Sequence, residues 1–287
     1  MDGASIASPT RLHAANSIAC AERGWHVLVE KPVTDSLRAA DHLAFALQRY
    51  GVRSLVGHHR RHHPSVQRLK ELVTNSIGTP LTATLIWAMR KPEGYFQNNW
   101  RTTGGSPVMI NLVHDVDILR FVLGEITQIA GFASNAQRNT DRVESGALAL
   151  KFANGVTGCV TFADTALSPW GFEAGTSENP NIATTAQDMI WITGTEGSVS
   201  FPSLTHWTGS RDWSEAPTPC AHAVERVVPL MAQLDHFLDV IDGKCAPLID
   251  VADARQTLDT TLKIETLMRR DLPLPIRSAH TPEGAFS

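Results

Sequence analysis

DGASIASPTRLHAANSIACAERGWHVLVEKPVTDSLRAADHLAFALQRYGVRSLVG, residues 2–57, alternates short apolar runs with amphipathic stretches. Gly3–Ser8 predicts a buried strand and Arg11–Arg23 a helix, with Gly24 placed to end it. His26–Glu30 predicts a second strand, Ser36–Tyr50 a second helix stopped by Gly51, and Arg53–Gly57 a third strand. Short strands alternating with longer helices imply parallel βαβ units, whose ligands lie at the carboxyl ends of the strands. Those ends are Ser8-Pro9-Thr10, Glu30-Lys31-Pro32 and His58-His59. Three strands are few for a doubly wound sheet, and the run opens within a strand. The sequence G-x-G-x-x-G occurs nowhere in the chain.

Past Pro64, which suits the first turn of a helix, the pattern changes. A helix to about Val73 leads into an alternating strand, Leu81–Met89, and a polar, aromatic loop, Lys91–Thr103. Ser106-Pro107 reads as an N-cap followed by proline, opening a helix that runs to Leu123 and stops at Gly124. Gly146–Phe152 and Val156–Phe162 flank Ala153-Asn154-Gly155, a strong hairpin signal. Met189–Thr193 and Ser198–Phe201 flank a second turn, Gly194–Gly197, and hairpins mean antiparallel pairing. Helices at about Pro229–Ile241 and Val251–Arg269 follow, and the tail from His280 is expected to be disordered. The chain thus reads as an α/β unit, residues 1–63, followed by an α+β unit, 64–287, built on an antiparallel sheet.

Composition narrows the partners. The 287 residues are 43% hydrophobic and 19% charged, ordinary globular values with room for a sizeable core. The formal net charge of −4 and the scattered basic residues argue against a nucleic-acid partner. No stretch approaches the roughly 18 to 20 apolar residues of a membrane helix, so no membrane association is expected. The first residues lack the basic and apolar regions of a signal peptide. Cys20, Cys159, Cys220 and Cys245 are far apart and form no CxxC pair; they are expected to be reduced thiols of a cytoplasmic protein.

PVMINLVHDVDILRFVL, residues 107–123, is apolar around nearly its whole circumference, so it is buried on most sides. Asn111, His114 and Asp117 nevertheless recur along one stripe at i, i+3 and i+6. Buried polar groups need partners, so the stripe faces either a polar neighbour or a ligand cleft. His114 reads equally as a core histidine bonded to Asn111 or Asp117. No further ligands are spaced to join His114 and Asp117 around a metal, and no metal is expected.

Lys31 reads as a donor that stabilises an alkoxide at the ligand edge, or as a solvated lysine at a strand end. Pro32 fixes the turn and is a candidate for a cis bond. Thr10 is a candidate N-cap, and His13 reads as a surface histidine of the first turn or a cleft residue. His58–His63, the run HHRRHH, reads mainly as a polar linker, with one or two members lining the cleft. Tyr95–Arg101, including Trp100 and Arg101, and Ser168–Glu173, including Trp170, mix aromatics with hydrogen-bonding groups. Such mixtures serve sugar binding or packing on a sheet edge.

Three segments, DGASIASPTRLH, GWHVLVEKP and GGSPVMINLVHDVDILRFVLG, resemble the glucose–fructose oxidoreductase/inositol dehydrogenase (Gfo/Idh/MocA) family in order and spacing. GTEGSVSF, residues 194–201, is similar too. The resemblance implies the C-terminal part of a Rossmann domain followed by a domain with an open, mostly antiparallel sheet that serves homo-oligomer contacts. It implies NAD or NADP as cofactor and a small polyhydroxylated substrate, a sugar or cyclitol whose secondary hydroxyl is oxidised.

By the same resemblance His114 is the proton acceptor, with Lys31 and Asn111 beside it. Ser8, Pro9, Thr10, His13, Glu30, Lys31 and Pro32 lie at the cofactor. Lys31, Trp100, Arg101, Asn111, His114 and Trp170 lie at the substrate. Two departures stand out. Many members carry an aspartate four residues before the histidine, where this chain has Ile110. The family also places a G-x-G-x-x-G strand and two further βα units ahead of residue 1, so a shortened Rossmann unit is expected here. The alternatives are a non-catalytic remnant that binds sugar-like ligands or oligomerises, and a redox-neutral reaction such as glycoside cleavage.

Overall fold

The computed structural model describes residues 2–96, 106–138 and 140–272. Strands β1 (Gly3–Ile6), β2 (His26–Val29) and β3 (Ser54–Val56) form a parallel sheet in that order. Consecutive buried residues, Val27, Leu28 and Val29 on β2, mark a strand covered on both faces, as parallel pairing requires. Helices α1 (His13–Ala21) and α2 (Leu37–Tyr50) connect the strands. The Ser36 hydroxyl caps α2 by accepting from the Ala39 N–H at 3.3 Å, and Gly51 ends it at φ 66°.

The N-cap expected at Thr10 is not there. A 3-10 turn, Thr10–Leu12, precedes α1, and Leu12 holds its N-cap position without a side-chain bond. The Leu12 N–H finds the Pro9 carbonyl at 2.8 Å, so backbone does the capping.

The second sheet has eight strands: β4 (Pro80–Ala88), β5 (Ile126–Ser134), β6 (Ser145–Phe152), β7 (Thr157–Ala163), β8 (Ile190–Gly194), β9 (Gly197–Phe201), β10 (Thr205–Thr208) and β11 (Thr218–Ala221). Their order is β11-β10-β9-β8-β4-β7-β6-β5, antiparallel throughout except for β4 beside β7. Both expected hairpins form. β10 and β11 were not anticipated, because neither alternates buried with exposed positions.

One face of this sheet buries Leu85, Trp87, Leu148, Leu150 and Phe162 in a core shared with α3 (Pro64–Asn75), α4 (Val113–Leu123) and α7 (Val251–Asp271). A short helix, α5 (Phe172–Thr176), and α6 (Pro229–Ile241) complete the described helices.

The last helices tie the two sheets together. Phe237 of α6 and Val251, Ala254 and Leu258 of α7 belong to the core around the parallel sheet. Ile264 and Met268, farther along α7, belong to the core of the large sheet. Gly3 allows the close approach of α6: a Cβ there would lie 2.7 Å from Ile241. Among the described residues no helix is long and apolar enough to cross a membrane.

Candidate active site

The site is built around the N-terminal half of the 107–123 segment. The Ser106 hydroxyl accepts from the Met109 N–H at 3.2 Å and donates to Glu265 of α7 at 2.5 Å, so the expected cap is present and anchored. The segment is not uniformly α-helical. Val108–Leu112 forms a π turn, with the Val113 N–H reaching back to the Val108 carbonyl, before α4 begins. A π turn holds one residue more than an α turn, so the i, i+3, i+6 stripe splits.

Its two ends have different surroundings. Asp117 accepts from Arg61 Nε at 2.9 Å and Nη2 at 2.8 Å, and from the Thr257 hydroxyl at 2.8 Å. It is the polar neighbour's half of the expectation. Burial works to raise its carboxyl pKa, but His58 and Arg61 outweigh that and hold it below the usual range. Among the described residues, Oδ1 of Asn111 and Nδ1 of His114 are buried without a hydrogen bond. Among the described residues no hydrogen bond joins the His114 ring to Asn111 or Asp117, the two partners the core-histidine reading named.

The His114 ring touches two other imidazoles edge to face, His59 at 5.5 Å and His58 at 6.5 Å between centroids. Burial, reinforced by the charges of Lys31 and Arg60, pushes its pKa well below the ordinary value. These effects favour the neutral imidazole at pH 7.

Lys31 stands at the carboxyl end of β2, half-buried, with Nζ 3.5 Å from the Ile110 carbonyl of the π turn. This tertiary contact joins Lys31 to the backbone one residue before Asn111, and the Lys31–Pro32 bond is cis. Glu30 turns back: its carboxylate accepts from the Lys31 N–H at 3.2 Å and lies against Gly57.

His13 is buried, not a surface residue. Nε2 meets the Ser8 carbonyl at 2.8 Å and Nδ1 the Pro32 carbonyl at 3.1 Å, clamping the ends of β1 and β2 together. Ser8 Oγ accepts from Asn16, while Pro9 is exposed and Thr10 half-buried in the 3-10 turn.

The aromatic segments divide. Trp100 and Arg101 lie outside the described residues, as does the tail from residue 273. Phe96 lies beneath the guanidinium groups of Arg138 and Arg142, 4.9 and 5.1 Å from its centroid, so this part of the loop packs at the sheet edge. Trp170 is exposed, and its carbonyl accepts from the Ala88 N–H at the end of β4. Among the described residues no hydrogen bond, ion pair or ring contact joins Trp170 to His114.

His58–His63 is the main correction. The run is not a solvated linker but a 3-10 turn, His59–His62, with His58, Arg60 and Arg61 buried. Arg60 lies 4.1 Å over the Phe172 ring and donates to Asp115 at 3.2 Å and to Glu173 at 2.6 Å. Arg61 joins Asp117 to Asp253 of α7. Burial lowers the pKa of His58 and of His62 to about 4 and raises that of Asp115 to about 7. The signal was a block of cations at a strand end together with His-Asp-x-Asp on a buried helix. Equal and opposite charge was visible, but its pairing was not. Among the described residues no group of three His, Cys, Asp or Glu side chains could hold a metal ion.

The site thus combines a lysine at the end of a parallel strand with a buried histidine on α4. The profile of an oxidoreductase family with an NAD-binding Rossmann fold matches residues 1–58, and that of the GFO/IDH/MocA C-terminal domain matches 66–200. The chain belongs to the GFO/IDH/MocA family. It is 32% identical to the uncharacterized oxidoreductase YrbE of Bacillus subtilis (strain 168), over 54% of this chain and 46% of that one. It is 25% identical to scyllo-inositol 2-dehydrogenase (NAD(+)) of the same organism, over 98% and 80% of the two chains. The match thus spans about half the length of some relatives. A WlbA dehydrogenase from Bordetella pertussis, solved with NADH and UDP-GlcNAcA, shares the fold at TM-score 0.69 and 22% identity, over 96% of this chain and 79% of that one.

Proposed function

We propose that this site transfers hydride between NAD or NADP and a secondary hydroxyl of a sugar, cyclitol or related polyol. The observation that carries the reading is His114, buried, uncharged and holding a ring nitrogen without a partner beside Lys31. A base must be neutral before it accepts a proton, and burial supplies that here. As the hydroxyl proton moves to His114, negative charge grows on the oxygen and the Lys31 ammonium stabilises it. Asn111 Oδ1, buried and unpaired, accepts a hydroxyl hydrogen and orients the substrate. Trp100, Arg101 and Trp170 are the proposed outer substrate contacts.

The orphaned acceptors and the clamped strand ends fit the nicotinamide end of the cofactor. Ser8, Pro9, Thr10, His13, Glu30, Lys31 and Pro32 would hold it there. When bound, the nicotinamide supplies the hydride acceptor. The second reading is a sugar-binding or oligomerising chain without turnover. We place subunit contacts on the outer face of the large sheet, where Ala147, Ala149, Cys159 and Thr161 are exposed.

Calorimetric titration with NAD+ and NADP+ separates the two readings. Micromolar binding, together with NAD(P)-linked oxidation of myo-inositol or a related polyol that His114→Asn abolishes, supports the dehydrogenase. No binding at millimolar cofactor, or an unimpaired His114→Asn protein, overturns it.

A further inference from the structure

A proton accepted by His114 needs a way out. Burial, Lys31 and Arg60 all oppose a lasting positive charge on that ring, so the proton has to be passed on. Two imidazoles touch it, and they lead in opposite directions. His58 leads inward: it is buried, and its Nδ1 lies 3.6 Å from Asp117, a carboxylate already occupied by Arg61 and Thr257. His59 leads outward. Its ring meets His114 at 5.5 Å and 73°, and its Nε2 lies 2.9 Å from Oε1 of Glu178.

Glu178 lines an open cleft of about 410 Å³ with Ser65, Thr176, Glu225 and Arg226. Burial works to raise the pKa of Glu178, but His59 and Arg60 outweigh it and keep the carboxylate ionised. Other titratable groups face this path: Arg60 meets Asp115 and Glu173 and lies 3.8 Å from Glu178, His63 stands close to Glu178, His62 close to His59, and Lys31 close to His114.

We propose that His59 and Glu178 form the proton exit of this site. The proton taken from the substrate hydroxyl by His114 passes to His59 and then, at Glu178, to water in the cleft. This rests on the reading of His114 as the base. In balance, the carbinol O–H and C–H bonds break and the O–H electron pair becomes the second bond of the product carbonyl. The C–H electron pair leaves with hydride for the nicotinamide and the hydroxyl proton ends on water. All three side chains return to their starting charge, and reduction runs the same path backwards. His59 and Glu178 act through His114 and are positioning residues.

The test reads proton movement without turnover. In the full chain labelled with ¹⁵N-histidine, exchange of the His114 ring N–H with solvent is measured by saturation transfer. His59→Gln slows exchange at least about tenfold, equivalent to one 1.4 kcal/mol barrier, and added imidazole restores it. Glu178→Gln slows it severalfold, whereas Glu178→Asp stays near the wild-type rate. Exchange in His59→Gln within about twofold of wild type overturns the proposal. If that variant loses the native amide spectrum, His59→Asn decides on the same criterion. Turnover of His114→Asn judges the base reading separately. Unchanged exchange with an inactive His114→Asn removes the exit and keeps the base. Slowed exchange with an active His114→Asn removes the base and leaves only a conduit.

Discussion

Arg61 and Asp117 form a two-pronged pair, Nε to Oδ2 at 2.9 Å and Nη2 to Oδ1 at 2.8 Å, buried between the 3-10 turn after β3 and the middle of α4. Arg61 reaches on to Asp253 at 2.6 Å, and so does Arg120 at 3.0 Å. Three segments far apart in sequence meet at these charges. His114 lies three residues before Asp117 on the same helix.

Removing one member of this pair leaves a buried charge without its partner. Asp117→Leu is expected to lose about 3–5 kcal/mol of stability, as breaking buried pairs generally does. Arg61→Met with Asp117→Leu should lose clearly less than the two single changes added together. Urea denaturation of all four proteins, analysed as a double-mutant cycle, checks this. Additive losses would show that the pair does not couple the segments.

Acid should destabilise the fold above the usual carboxylate range. His58 and His62, lowered by burial to about 4, and His114, lowered further, bind fewer protons folded than unfolded at mildly acidic pH. Their stabilisation is present above the unfolded value of 6.5 and is lost as pH falls toward 4. Asp115 works the other way: raised from 3.8 to about 7, its contribution is present below 3.8 and lost as pH rises through 7. Three groups oppose one, so Tm should fall between pH 7 and 4.5. Asp115→Asn should steepen that fall. A Tm that rises on acidification would show that the histidines are not buried as neutral groups.

Lys31→Met should cut kcat by about 10²–10³-fold with little change in KM, the loss typical of one donor at a developing oxyanion. Lys31→Arg should recover part of it, because the charge remains while the reach to Ile110 changes. Steady-state kinetics decide. Equal loss in KM and kcat/KM with kcat unchanged would make Lys31 a simple binding residue.

Gly3→Val should cost about 1–3 kcal/mol by overpacking α6 on β1. The new Cβ meets Ile241 at 2.7 Å and Phe237 at 3.2 Å. Ile241→Ala in the same chain should relieve much of the loss, read as a recovery in the urea midpoint. No recovery would place the strain elsewhere.

Local features were legible where a short stretch carries its own cause. Val27, Leu28 and Val29 are consecutive and apolar, which is the mark of a strand buried on both faces. Asn154-Gly155 turns the β6–β7 hairpin, and Ser106 caps the helix that follows it. The π turn was not legible, because Val108–Leu112 has nothing in its side chains to separate it from an α turn. β10 and β11 carry no period-two pattern and take their place by pairing with β9 and each other.

Lys31 and His114 could be singled out from the sequence because each stands out against its own neighbours: a cation closing an apolar strand, an imidazole inside an apolar helix. Their meeting could not, since the contact from Lys31 to Ile110 crosses between the two sheets. The same holds for Arg60 and Arg61. A sequence displays charges but not distances, and Coulomb energy depends on both distance and desolvation. Only folding brings Arg60 against Asp115 and Glu173, and Arg61 against Asp117 and Asp253. The sequence by itself determined the parallel strands and their ends, the two hairpins, the long helices and the two chemical groups. The tertiary structure decided that His114 is buried, with its pKa pushed well below the ordinary value and Nδ1 without a hydrogen bond among the described residues, because those properties belong to what surrounds a side chain.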